Sequence, residues 1–171
     1  MKKTMKSNVS KNILLILSLL SGIVSAGTIK IPEDKPAVTV EVPDKWKPEK
    51  IDNGISIESP DQIATMYFEV TPAKASDDLL KENLEYLNKE QKVTVDTATM
   101  KVTEAKIGGL MWHRMSFDGA SKEFGPADIG FLLLELANDR VITVTYWINK
   151  KDKSNQERAV DEILDSIKPV K

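Results

Sequence analysis

The chain has 171 residues, with no cysteine, one histidine, and 24 Lys and Arg against 26 Asp and Glu, so its formal net charge is −2. This length suits one domain with an ordinary packed core. The absence of cysteine excludes disulfides, thiolate zinc sites, iron–sulfur clusters and cysteine nucleophiles, and a single histidine excludes most histidine-rich metal sites. A slightly acidic chain without a basic block also lacks the charge pattern that nucleic-acid binding requires.

The first 26 residues have the layout of a secretory signal peptide. Four lysines and no acidic residue precede an apolar run that begins at Ile13, and small residues surround Ala26. This pattern predicts cleavage between Ala26 and Gly27. The apolar run is about twelve residues long, which is shorter than the roughly twenty residues of a membrane-spanning helix.

Removal of residues 1–26 would leave 145 residues, in which 20 basic side chains face 26 acidic ones, so the net charge becomes −6. No cysteine follows the predicted cleavage point, which argues against lipid attachment. We therefore expect a periplasmic or secreted bacterial protein without stable membrane insertion. Its acidic charge makes anionic membranes and nucleic acids poor partners.

Residues 27–36 contain two prolines and predict an extended lead-in that contributes little to the core, and residues 37–171 form one domain. Alternating apolar residues predict the first strands, and leucines at helical spacing predict a helix of about four turns from Ser76. Trp46 and Pro48 are assigned to a loop between strands. In order, the first half contains strands at 38–42, 55–57 and 63–71 and the helix at 76–89.

The second half is richer in strands. The segment 93–107 has weak alternation and predicts one irregular or edge strand, or two strands, ending at the turn Gly108-Gly109. Residues 118–126 are assigned to a loop, and Asn138-Asp139 to a two-residue turn. The remaining predicted elements are strands at 110–117, 129–134 and 141–148 and a closing helix at 154–167.

The strands at 129–134 and 141–148 lack a plainly polar face, which indicates that both of their faces are covered. Tight turns between consecutive strands favour antiparallel pairing. The predicted fold is therefore an α+β domain in which an antiparallel sheet of about six strands is sandwiched between helices.

Four segments carry a resemblance to a known family: residues 40–46 with Trp46, the turn at 59–61, the glycines at 108–109, and the end of the closing helix at 163–168. In their order and spacing they resemble the PsbP-like family, named for the extrinsic protein of the oxygen-evolving complex, and especially its bacterial exported members. The resemblance implies an antiparallel sheet sandwiched by helices. It also implies an assembly or binding protein, since members of this fold act as such, including a nuclear one that binds a small GTPase. No shared catalytic motif is implied.

No serine-nucleophile elbow, zinc-protease motif, phosphate-binding loop or calcium loop occurs in the chain. His113 is the only histidine, and its alternation with Met111, Met115 and Phe117 favours a packed neutral imidazole over a ligand or proton-transfer role. Carboxylate pairs at 77–78 and 161–162 leave a weak metal site open, although such acids more often complement helix dipoles.

Four residues are candidates for a ligand or partner surface. Trp46 either plugs one end of the sheet, which we favour, or stands exposed as a platform. Trp112 and Arg114 lie on the strand face opposite His113 and could form a cation–π pair or an edge patch. Phe124 lies in the polar segment 118–126, where an exposed aromatic ring would suit a docking partner.

The sequence thus predicts an exported, non-enzymatic accessory or binding protein without a cofactor. It would act through a surface or groove on an envelope protein or a small ligand. The alternative is an envelope enzyme or metal-binding protein with a site centred on carboxylates or on His113.

Overall fold

A computed structural model describes residues 26–170, so all of the predicted signal peptide except its last residue, Ala26, lies outside the described residues. Two sheets and two α-helices form the fold, and a short 3₁₀ turn precedes each helix. The elements are β1 (Ala26–Ile31), β2 (Val38–Pro43), β3 (Lys47–Ile51), β4 (Gly54–Glu58), β5 (Ala64–Pro72), α1 (Ser76–Lys89), β6 (Val93–Ile107), β7 (Leu110–Ser121), β8 (Gly125–Leu136), β9 (Arg140–Asn149), α2 (Lys153–Asp165) and β10 (Lys168–Pro169). No helix between residues 26 and 170 is long and apolar enough to cross a bilayer.

The larger sheet has seven antiparallel strands in the order β3-β4-β5-β9-β8-β7-β6, and the smaller one has the order β1-β2-β10. Tight turns join most of the neighbouring strands, which is why they pair antiparallel. The β8–β9 hairpin has a turn of three residues, 137–139, between the paired Leu136 and Arg140, one residue longer than the predicted turn. Asn138 and Asp139 in this turn both have positive φ angles. The prediction of an antiparallel sheet is confirmed, but the sheet has seven strands and a second sheet accompanies it.

Two hydrophobic clusters show how the large sheet is covered. On one face, leucines of α1 pack against Phe117, Phe131 and Trp147. On the other face, α2 and the small sheet together bury the alternate residues of β5, β7, β8 and β9. The predicted sandwich is therefore present in part, because α2 shares the second face with three short strands.

Three segments differ from the sequence prediction. The lead-in forms β1, and Ile31 is fully buried in the core, so this segment contributes to the fold. The predicted loop after Trp46 contains the edge strand β3, where Pro48 and lysines are tolerated because one side of an edge strand has no partner. The predicted loop 118–126 is a hairpin turn of three residues, 122–124, between the longer strands β7 and β8.

The edge strand β6 is one irregular strand, with a register shift between Asp96 and Lys101, in agreement with the first of the two interpretations of this segment.

At the other end of the fold, the turn between β4 and β5 is fixed to α2. The hydroxyl of Ser59 donates to Asp61 over 2.6 Å, and Gln156 donates to the same carboxylate over 2.6 Å. This contact holds α2 across the sheet.

Candidate functional site

A polar groove lies between α2 and the large sheet, and it brings together polar and charged side chains from five separate elements. Its volume is about 220 Å³. The groove is lined by Thr99 and Lys101 of β6, Arg114 and Ser116 of β7, Asp128 of β8, Tyr146 of β9, and Glu157 and Asp161 of α2, among others. Because α2 packs over apolar residues deeper in the sheet, these polar groups collect at the margin of the core.

Arg114 and Tyr146 form the centre of the polar groove. The Arg114 guanidinium donates a hydrogen bond of 2.9 Å from Nη2 to the Tyr146 hydroxyl oxygen. Tyr146 is buried, and this burial raises the pKa of its hydroxyl, while the nearby Arg114 charge acts in the opposite direction. The hydroxyl therefore stays protonated at neutral pH and retains its own hydrogen to donate.

A glycine allows the Tyr146 ring to lie across the sheet. Gly130 of β8 pairs in register with Tyr146, and a Cβ atom at Gly130 would lie only 2.3–2.6 Å from the ring and hydroxyl of Tyr146. The ring therefore occupies the space that a side chain would otherwise fill, in the manner of an aromatic ring covering a strand glycine. This packing brings the hydroxyl within reach of Arg114, one strand further on.

Charges of both signs surround this pair. Lys150 bridges two carboxylates, Asp118 at 2.6 Å and Asp128 at 3.1 Å, and these contacts raise the pKa of the lysine. On α2, burial and then the nearby Glu157 raise the pKa of Asp161, while Arg114 lowers it. The groove can therefore donate hydrogen bonds to a ligand and accept them from it, if the ligand carries both acceptor and donor groups.

The structure places only Arg114 of the predicted surface residues in this groove. Trp46 is 5% exposed and Trp112 is 1% exposed, and both belong to the core cluster under α2. Trp46 is thus the plug that we favoured rather than a platform, and Trp112 forms no surface patch with Arg114. Phe124 is half-buried, and its ring stacks on Trp147 at a centroid distance of 6.4 Å, so the prediction of an exposed ring is wrong.

Of the other candidates whose side chains the structure describes, only Asp161 lines the groove. His113 is exposed and lies on the opposite face of β7 from Arg114, so the prediction of a packed imidazole is wrong. Asp161 lines the groove, whereas the adjacent Glu162 pairs with Arg158 at 3.6 Å. The side chain of Asp77 is outside the described side chains. In the described part of the chain, no three His, Asp or Glu side chains form a group that could hold a metal ion.

Sequence reasoning did not single out Tyr146, which is buried on the strand predicted at 141–148, and it did not connect Lys101, Asp128 or Asp161 with Arg114. These residues are distant in sequence, and only the strand register brings them together. One local signal was present: Gly130 interrupts an apolar strand, and a glycine at such a position often marks a close approach.

Comparison with solved structures identifies the fold. The structure of cyanobacterial PsbP from Synechocystis sp. PCC 6803 matches with a TM-score of 0.59 and 8% identity, over 88% of this chain and 95% of that chain. LpqN of Mycobacterium tuberculosis, described as involved in cell envelope biogenesis, matches with a TM-score of 0.51 and 11% identity, over 86% and 91%. The Ran-binding protein Mog1p of Saccharomyces cerevisiae matches with a TM-score of 0.46 and 13% identity, over 84% and 96%.

The chain therefore has the PsbP-like fold, as the resemblance of its sequence implied. No family model matches the chain, and no curated protein matches it either.

Proposed function

We propose that the chain is an exported, non-enzymatic binding protein of the bacterial cell envelope. In this proposal the polar groove takes a small polar ligand or the polar side chains of a partner protein. The observation that carries it is the Arg114–Tyr146 pair. Within residues 26–170, the guanidinium makes one hydrogen bond, to Tyr146, although it has five N–H donors. The remaining donors are available to a carbonyl, carboxylate or phosphate oxygen of the bound group.

The mixed charge of the groove supports a binding role. Arg114 and Lys101 would meet acceptor groups of the ligand, and Asp161 would meet donor groups or a cation. Ligands with both kinds of group would satisfy both sides of the groove, because Arg114, Lys101 and Asp161 would each then gain a partner in the ligand.

The placement of His113 argues against a catalytic site centred on this histidine. General acid–base chemistry needs a titratable group within hydrogen-bond reach of the reacting atoms. The histidine lies on the other face of β7, so it cannot serve as a base in the groove. The sequence also lacks a nucleophile motif.

Export rests on the leader pattern of residues 1–26, and an envelope location accords with the occurrence of this fold in LpqN. N-terminal sequencing of the protein recovered outside the cytoplasm tests export by signal-peptide cleavage. The expected first residue is Gly27, and recovery of an intact chain that begins at Met1 would contradict export by cleavage.

Native mass spectrometry tests the binding role. The protein would be purified under mild conditions as wild type, as Arg114→Met and as Arg158→Met. Arg158 is a matched control, because it is exposed and pairs only with Glu162 on α2 in the described part of the chain. We expect a copurified ligand or protein with wild type and Arg158→Met, reduced at least tenfold in Arg114→Met. Equal loading of all three proteins would contradict the groove as the binding site.

A further inference from the structure

Two opposite charges line the polar groove from its two sides without forming an ion pair. Arg114 extends from β7, and Asp161 extends from α2. Desolvation raises the pKa of Asp161, and the positive charge of Arg114 acts on that pKa in the opposite direction, so the two groups are close enough to interact through space. No ion pair within 4.0 Å joins them in the described part of the chain. A gap therefore separates the guanidinium from the carboxylate.

Both groups keep hydrogen-bonding capacity for a ligand in this gap. Within residues 26–170, the Arg114 guanidinium donates only to Tyr146, and the Asp161 carboxylate accepts no hydrogen bond. Arg114 is half-buried and Asp161 is exposed, so a ligand can reach both side chains. A ligand that spans the gap must present an acceptor to Arg114 and a donor to Asp161.

The charge of the groove limits the net charge of such a ligand. The charged side chains of its lining are Asp118, Asp128, Glu157, Asp161, Lys101 and Arg114. Lys150 pairs with the first two of these, so four carboxylates stand against three cations. The excess of negative charge repels a net anion such as phosphate. A ligand with one positive and one negative charge adds no net charge.

The two side chains also select the charged groups of the ligand. A guanidinium matches a carboxylate, which can accept two parallel hydrogen bonds from it, and a carboxylate such as that of Asp161 matches an ammonium group. The groove has a volume of about 220 Å³, below the roughly 300–1,000 Å³ of sites for drug-sized ligands. An α-amino acid carries both charges on a single carbon atom, so it meets the requirements of charge and of size together.

We propose that the polar groove binds a free α-amino acid as its zwitterion, with the ligand carboxylate on Arg114 and the ligand ammonium on Asp161. This inference rests on the binding role proposed above, and it names the class of ligand. Lys101 lies on β6, the strand paired with that of Arg114, and adds positive charge on the side of the ligand carboxylate. Tyr146 positions the guanidinium through its hydrogen bond with Arg114.

Titration with three related probes, followed by the backbone amide NMR signals of the residues that line the groove, tests this site. L-Alanine carries both charges, N-acetyl-L-alanine carries only the carboxylate, and L-alaninamide carries only the ammonium. We expect L-alanine to bind with a dissociation constant of about 1–10 mM, as suits so small a ligand. Each of the other two probes should bind about tenfold more weakly, because each loses one charge-assisted hydrogen-bonded contact.

Two variants assign the two ends of the ligand. Arg114→Met should weaken binding of L-alanine about tenfold and leave L-alaninamide unchanged, because the amide has no carboxylate to lose. Asp161→Asn should weaken L-alanine by a similar factor but should not weaken N-acetyl-L-alanine. Glu162→Gln is the control on α2, because Glu162 pairs with Arg158 and does not line the groove; it should leave all three affinities unchanged. A variant that merely disturbed the fold would weaken all three probes together.

The proposal would be overturned by the absence of any shift up to about 50 mM L-alanine, on the ~1–10 mM scale above. Equal binding of the three probes, or an equal effect of each variant on all of them, would also overturn it. If L-alanine fails to bind while Arg114→Met still reduces the copurified ligand in native mass spectrometry, the ligand class is wrong and the binding role of the groove stands. Equal loading in mass spectrometry would instead count against the binding role itself.

Discussion

Replacing Gly130 with alanine is the change that most directly perturbs the construction of the polar groove. A Cβ atom at this position would lie 2.3 Å from Cζ and 2.6 Å from the hydroxyl oxygen of Tyr146. Ordinary contacts between non-bonded carbon atoms lie at about 3.5–4.0 Å. The Tyr146 ring must therefore move by more than about 1 Å to restore normal contact, which takes its hydroxyl away from Arg114.

The expected cost follows from two effects of this movement. Overpacking a core typically costs about 1–3 kcal/mol, and losing a hydrogen bond to a charged group costs about 1.5–3 kcal/mol. Because one displacement of Tyr146 causes both effects, they are not independent, and we expect Gly130→Ala to lower the free energy of unfolding by about 3 kcal/mol. In a domain of this size that corresponds to about 6–12 °C in Tm.

Urea denaturation of four proteins measures this cost: wild type, Gly130→Ala, Tyr146→Ala and the double variant. With the Tyr146 ring removed, alanine at position 130 should cost less than about 1 kcal/mol. Gly27→Ala is the control, because a Cβ atom at Gly27 meets nothing within 4 Å, and it should change stability by less than about 0.5 kcal/mol. An equal cost of Gly130→Ala in both backgrounds would refute the role of Gly130 in positioning Tyr146.

Three further substitutions have defined outcomes. Burial alone would raise the pKa of Asp61, but hydrogen bonds from Ser59 and Gln156 lower it overall. The ionised Asp61 carboxylate therefore stabilises the fold above about pH 4, and this stabilisation is lost as pH falls through the folded-state pKa. Asp61→Asn should therefore be less stable than wild type at pH 7 in urea denaturation, with the difference closing toward pH 3. Burial raises the pKa of Glu69, so wild type loses stability as pH rises above about 4, and Glu69→Gln should have the higher Tm at pH 7 but not at pH 4. His113 is exposed, so His113→Gln should change stability by less than about 0.5 kcal/mol and leave ligand loading unchanged; a large loss of either would contradict its placement.

Local patterns were sufficient for much of the fold. The valines of β2 alternate along the strand, and those at 38, 40 and 42 are all buried. The turn predicted at Asn138-Asp139 does join β8 to β9, but it has three residues, 137–139, because Leu136 pairs with Arg140. In each case neighbouring residues carry the pattern, so no long-range information is needed.

The strand and the hairpin that were predicted as loops form because of pairing with distant parts of the chain. Lys47–Ile51 contains a proline and charged residues, and it is a strand because its edge position exposes one side to solvent. The segment 118–126 is polar, and it forms a hairpin because β7 and β8 continue their pairing as far as Ser121 and Gly125. Tertiary pairing decides both cases, and a local pattern does not contain it.

The groove was predictable only in part. Arg114 was a candidate because it shares a strand face with Trp112, opposite His113. Its partner Tyr146 lies on a non-adjacent strand, and the contact depends on the space over Gly130. Such a site requires the strand order β9-β8-β7, which the sequence pattern does not specify.

Site-specific photo-crosslinking in intact envelopes is the most direct test of the polar groove as the binding site. A photoreactive residue would replace Lys101, which lines the groove, or Arg158, which is exposed on α2 outside it. We expect a discrete adduct from position 101 that Arg114→Met abolishes, and no such adduct from position 158. The same adduct from both positions, or one that persists in Arg114→Met, would contradict binding through the groove.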